Sequence, residues 1–192
     1  MKKIFNLIKN PLFSGSAIMI IGLNSVSFIN YLYHLVMGRM LGPANYGELA
    51  ALISLIGLVG IIPASVNLVI TKEVSSAKND GEVSNLVNWF KAKIFVASLV
   101  FSVIMLIASP FIASFLNIQS IFYLILIAIS FLFSIQASLN RSILQGLLKF
   151  KEMVITILVE NTTKLIISIF LVYLGFQVGG VMLALVVSAL LG

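Results

Sequence analysis

Apolar stretches of about 20 residues recur along the chain between short polar connections, and each is long enough to cross about 30 Å of hydrocarbon as a helix. The pattern predicts six such helices, at about 14–40, 46–72, 91–116, 120–146, 152–175 and from 178 onward. The short alternating segments of a β-barrel are absent. The predicted fold class is therefore an all-α integral membrane protein, a six-transmembrane-helix bundle. Ahead of the first helix, residues 1–13 set Ile4, Phe5, Leu7 and Ile8 among Lys2, Lys3 and Lys9 and run into Pro11, the pattern of an interfacial amphipathic segment. The first apolar run is not a signal peptide: Asn24, Asn30 and His34 interrupt it and no small-residue cleavage site follows. A second amphipathic stretch, 83–90, follows the turn at Asn79, Asp80 and Gly81 and carries Trp89, which suits an interfacial helix. The last span meets Gly192 with no polar flank, so residues 14–192 are expected to be one lobe truncated at its C-terminus.

Composition strengthens this picture. The sequence is 60% hydrophobic and 9% charged, with a mean hydropathy of +1.16, against about 45–50% and about 25% for a soluble domain. The net charge of +6 forms no nucleic-acid patch, because the basic residues sit in connections between spans, where they report topology. Lys2, Lys3 and Lys9 precede the first helix, Lys72, Lys78, Lys91 and Lys93 bracket the connection from the second to the third, and Arg141, Lys149 and Lys151 bracket that from the fourth to the fifth. The opposite side carries only Arg39, so the N-terminus is expected in the cytoplasm and the chain in the cell membrane. With no cysteine there is no disulfide framework, thiolate metal site or cysteine nucleophile. No metal or cofactor site has a candidate, and no hydrolase or metalloprotease motif is present, so no enzyme is expected. The longest polar connection, 73–88, is too short to fold alone, which leaves the space between helices for any ligand site.

Glu160 and Lys164 carry the clearest chemical signal. With Lys151 at the interface, they lie roughly 14 and 20 Å deep, where each charge costs about 2.5–3.5 kcal/mol and an (i, i+4) pair returns only about 0.2–0.5 kcal/mol. The pair is expected to face the bundle interior with Asn161 close by, either as a cation for an anionic head group held by Glu160 or as a self-neutralised structural pair. On the first helix, Asn24, Ser27, Asn30, Tyr31 and His34 recur at spacings of three and four, which puts them along one face. Such a stripe lines a cavity or bonds to a neighbouring helix, and His34 could donate to a phosphate or titrate. Arg39 either binds phosphate through its fork of donors or snorkels and pairs with Glu48. Arg141, with Gln136 and Asn140, forms an expected polar cluster low on the fourth helix, as an anchor or a head-group entry point. Pro63, preceded by Gly57 and Gly60, is expected to kink the second helix and to serve as a hinge.

Read in order, these landmarks resemble one family. Gly38-Arg39-Met40-Leu41-Gly42-Pro43 through Tyr46-Gly47-Glu48-Leu49, Pro63-Ala64-Ser65 through Thr71-Lys72, Arg141-Ser142-Ile143-Leu144-Gln145-Gly146 with Phe150, Val159-Glu160, Lys164-Leu165, and Gly175 to Gly180 look like the polysaccharide or oligosaccharide flippase branch of the multidrug/oligosaccharidyl-lipid/polysaccharide exporter superfamily. The resemblance spans roughly residues 12–192. It implies a transporter of two six-helix lobes that moves a polyprenyl-(pyro)phosphate-linked glycan from the cytoplasmic to the outer leaflet by alternating access, this chain being the N-terminal lobe. It also implies cavity cations for the pyrophosphate, by position Arg39, Arg141 and Lys164. The first helix departs from the similar lipid II flippase branch, offering Asn30 and His34 where that branch carries several arginines.

The expected function is thus transport of a lipid-linked oligosaccharide, with membrane lipids, the glycan and a second six-helix lobe as partners. Two alternatives stay open. A sodium- or proton-coupled multidrug antiporter of the same fold would need deep carboxylates, for which only Glu160 qualifies. A non-transporting membrane scaffold would recruit partners without a cavity ligand.

Overall fold

The computed structural model describes residues 11–192, with side chains from residue 15 onward except at 62. The interfacial segment expected at residues 1–13 lies, up to residue 10, outside the described residues. Six helices follow in order and no strand occurs among the described residues: α1 Pro11–Val59, α2 Ile61–Ser76, α3 Asp80–Leu116, α4 Ile121–Gly146, α5 Phe150–Tyr173 and α6 Gln177–Leu191. By length and composition four of them, α1, α3, α4 and α5, can cross a membrane, and α6 is apolar but shorter. The chain is an all-α multi-pass membrane protein.

Two expected elements have different joints from those the pattern suggested. The first and second predicted helices share α1, whose arms, 11–41 and 43–59, meet at Gly42. That residue has φ 72° and ψ 173°, a backbone region open essentially to glycine alone, so one residue makes the reversal. The second predicted helix is not merely kinked at Pro63 but divided at Gly60, one turn earlier, between α1 and α2. Proline has no N–H to give the carbonyl of residue 59, and it is tolerated in a first helical turn, where that N–H would be free.

The interfacial stretch at 83–90 is likewise not a separate helix, because nothing between Phe90 and Lys91 interrupts helical geometry. It is the beginning of α3, whose 37 residues extend about 55 Å and overrun the hydrocarbon. Asn79 starts α3 by accepting the Glu82 N–H at 2.8 Å, while Glu82 accepts the Lys78 N–H at 2.9 Å.

The central helix is α4. It buries Leu124, Ile127, Phe131, Leu139 and Ile143 and packs against α2, α3 and α6. Tyr33, Met37, Leu49 and Leu52 from both arms of α1 join it, with Val181 and Met182 of α6, in the larger core. A smaller core of Ile70, Val74, Phe90, Leu139 and Ile143 lies toward one end. At that end Gly146 meets Val74 and Gly15 meets Phe150, so the connections bearing Lys72, Lys78, Lys149 and Lys151 share it. At the opposite end Glu48 accepts the backbone N–H of Gln119 at 2.7 Å.

The exposed faces differ in kind. On α3 the outward side chains are Val96, Val100, Val103, Ile107, Phe111 and Phe115, the composition of a lipid-facing surface. On the first arm of α1 the exposed set mixes Asn24, Ser25, Ser27, Tyr31 and His34 with Ile20, Ile21, Leu23 and Phe28.

Candidate functional site

The site is built on the seam between α1 and α5, which run parallel. At the lysine-rich end the contact is tight because two glycines seven residues apart face α5: Gly15 lies under Phe150 and Gly22 under Val154. Small residues let helix backbones approach where no hydrophobic effect drives them together. Further along the same seam the contacts become polar.

Lys164 of α5 donates from Nζ to Asn30 Oδ1 at 2.9 Å and to Asn161 Oδ1 at 3.1 Å. Its ammonium also stands 4.8 Å from the centre of the Tyr33 ring, within cation–π range. Both amides are oriented by their own helices, since Asn30 Nδ2 donates to the Val26 carbonyl at 3.1 Å and Asn161 Nδ2 to the Ile157 carbonyl at 2.8 Å. Each therefore presents its carbonyl oxygen to the ammonium. Beneath it Tyr33 is 2% exposed and Ser168 fully buried; the two hydroxyls lie side by side, and neither makes a well-formed hydrogen bond.

Glu160 does not hold Lys164, contrary to the pairing expected from the sequence. Its Oε2 forms an ion pair with Arg141 Nη2 of α4, and Arg141 Nε reaches Thr156 Oγ1 at 3.4 Å. Spacing within α5 favours Lys164, but the α4–α5 hairpin brings a guanidinium with a planar fork to the same carboxylate, and the fork wins. Arg141 and Glu160 are each about one-fifth exposed, at 20% and 21%. Among the described residues the direct contacts of Lys164 are neutral, while Glu160 acts on its charge from one turn away.

The other candidates lie around this pair of tiers. His34 Nδ1 is 3.1 Å from the Tyr46 hydroxyl, a contact that joins the two arms of α1 across Gly42. Arg39 is exposed and does not pair with Glu48, whose Oε1 takes the Gln119 N–H instead. The expected cluster of Arg141, Gln136 and Asn140 is dispersed: Gln136 turns to α3 and donates to Ser98 Oγ at 3.2 Å, Arg141 turns to α5, and Asn140 is exposed. Pro63 borders a cavity of about 250 Å³ with Gly60, Asn67, Ser134 and Ser138, away from Lys164.

Sequence reasoning missed Tyr33, Thr156, and the bond from Asn67 Nδ2 to Ser138 Oγ at 2.6 Å that ties α2 to α4. Thr156 carried a usable signal, standing one turn before Glu160; Tyr33 reads as an ordinary core aromatic. A hollow of about 990 Å³ opens at the lysine-rich end between Glu73, Glu82, Asn85 and Trp89 and holds none of the candidates. Among the described residues no three histidine, aspartate or glutamate side chains gather as a metal site would require.

No curated protein and no solved structure matches the chain. The family model described as polysaccharide biosynthesis protein matches residues 13–192. With its helical passes and the polar seam beside them, the chain belongs to that family, the polysaccharide flippase family of the multidrug/oligosaccharidyl-lipid/polysaccharide exporter superfamily.

Proposed function

We propose that this chain is the N-terminal lobe of a flippase that carries a polyprenyl-(pyro)phosphate-linked oligosaccharide from the cytoplasmic to the outer leaflet of the cell membrane by alternating access. The observation that carries the reading is the charge balance at Lys164. Arg141 pairs with Glu160, so the ammonium at mid-helix has no direct ion pair and rests on the carbonyl oxygens of Asn30 and Asn161 and the face of Tyr33. An ammonium in the membrane with no direct ion pair favours an anion brought from outside the chain. At an effective dielectric of about 20, one phosphate charge about 4 Å away contributes about 4 kcal/mol, more than two neutral amide bonds supply. Asn30 positions Lys164, and His34 and Arg39 stand along the exposed polar face where a head group leaving toward the outer side would pass. Pro63 and the break at Gly60 give the adjoining helix a joint. A second six-helix lobe closes the cavity over that face.

A cation-coupled antiporter finds less support, since the one deep carboxylate is already occupied by a guanidinium. The test is Lys164→Glu in the full-length protein, with glycan export as the readout and membrane abundance as the control. Export is expected to fall to background with Lys164→Glu and to persist with Lys164→Arg. Normal export by Lys164→Glu at normal abundance refutes the proposal.

A further inference from the structure

Glu160 and Lys164 stand one turn apart on α5, Lys164 facing α1 and Glu160 facing Arg141 of α4, and the three sum to a single positive charge. Glu160 stands between the two cations, paired with Arg141 across the hairpin and one helical turn from Lys164 on its own helix. None of the three is fully buried: the members of the ion pair are each about one-fifth exposed, at 20% and 21%, and Lys164 is half-buried. Glu160 lies one helical turn, about 5.4 Å of rise, from Lys164, a span that the two phosphates of a pyrophosphate can bridge toward Arg141, and the one anion already engaged there is Glu160.

We infer that Glu160 is an internal counter-ion that competes with the substrate's phosphate for Arg141 and thereby sets its release. This rests on the reading above that Lys164 binds the phosphate. When the phosphate is bound, the Arg141 fork turns toward it, two donors matching two oxygens. Thr156 Oγ1, 3.4 Å from Arg141 Nε, keeps a hold on the guanidinium during the exchange. When the carboxylate returns, it takes back the donors and the phosphate leaves, so Arg141 is never left uncompensated inside the membrane. Glu160 is thus a positioning residue that acts through Arg141. Such a device prevents a cationic site from holding a dianion too tightly to turn over.

Titration of farnesyl pyrophosphate into the purified full-length protein in nanodiscs tests this, with glycan export measured in cells beside it. Glu160→Gln is expected to bind the probe on the order of tenfold tighter than wild type, a carboxylate's repulsion having been removed at short range, and to export more slowly. Lys164→Gln is expected to lose binding. If Lys164→Gln binds like wild type, the transport reading itself fails. If Lys164→Gln loses binding while Glu160→Gln binds equally or more weakly, only the counter-ion role fails and the pair is a structural staple. Should Glu160→Gln not fold, Arg141→Gln is compared with the double variant Arg141→Gln/Glu160→Gln. Because Glu160 acts through Arg141, the two are expected to bind the probe alike, and tighter binding by the double variant overturns the inference.

Discussion

Replacing Gly22 by alanine probes the seam that holds the site. A Cβ at that position would stand 2.1 Å from Val154 Cγ1, 2.9 Å from Cγ2 and 3.1 Å from Val154 Cβ, where ordinary contact begins at 3.4 Å. The shortfall is 1.3 Å, 3.4 less 2.1. Valine in a helix has one strongly preferred rotamer, and its Cβ moves only with the backbone, so rotation alone cannot clear the contact. The two helices must separate, at about 1–3 kcal/mol for overpacking of this kind. Eight residues along the same seam, Lys164 reaches Asn30 at 2.9 Å; passing on half of the opening stretches that bond to about 3.5 Å, the edge of hydrogen bonding. Gly22→Ala is therefore expected to lower thermal stability in detergent and to reduce glycan export together. Val154→Ala in the same chain should restore both, a non-additivity expected only of residues in contact. Gly57→Ala, with open space around it, is the neutral control. Wild-type melting and export in Gly22→Ala, or additive effects in the double variant, would refute the close approach of α1 and α5.

Two further outcomes concern the backbone and the bundle. Gly42→Ala meets no neighbour within 4 Å, so its cost is conformational alone, about 1–3 kcal/mol; an unchanged melting temperature would refute the one-residue reversal. A double-mutant cycle with Asn67→Ala and Ser138→Ala should show a coupling of about 0.6 kcal/mol, and at most about 1.7 kcal/mol, in reversible unfolding in mixed micelles, whereas zero coupling would show that α2 and α4 are not joined there.

How much of this was legible in the sequence depended on the range of the interaction. The spans followed from local hydropathy, the inward position of Lys164 from the cost of a charge in a membrane, and the interhelical contact of Asn30 from its place in a polar stripe on the first helix. Asn161 was also locally legible, being one turn from Lys164. The partner of Glu160 was not. Helical spacing offers only Lys164, while Arg141 lies 19 residues away and comes within reach only when the α4–α5 hairpin closes. The same limit explains Gly15 and Gly22, whose seven-residue spacing marks a face but names no partner. Pro63 announced a disturbance correctly, yet the break falls at Gly60 because a missing proline N–H is felt at the carbonyl one turn earlier.

The two exposed faces bear on what surrounds the seam. A lipid surface like that of α3 tolerates only apolar side chains, whereas the first arm of α1 exposes Asn24, Ser27 and His34 beside the half-buried ammonium of Lys164. A lysine at the bilayer centre costs about 2.5–3.5 kcal/mol, and interhelical hydrogen bonds return about 0.6 kcal/mol each. The two amide oxygens on Lys164 thus offset less than half of it, and Glu160, paired elsewhere, supplies no direct ion pair. The Tyr33 ring 4.8 Å away and the charge of Glu160 one turn along α5 supply part of the remainder. On the proposed reading, water or an anion on the α1 side supplies the rest, and a phosphate entering there reaches Lys164 without first displacing a carboxylate from it.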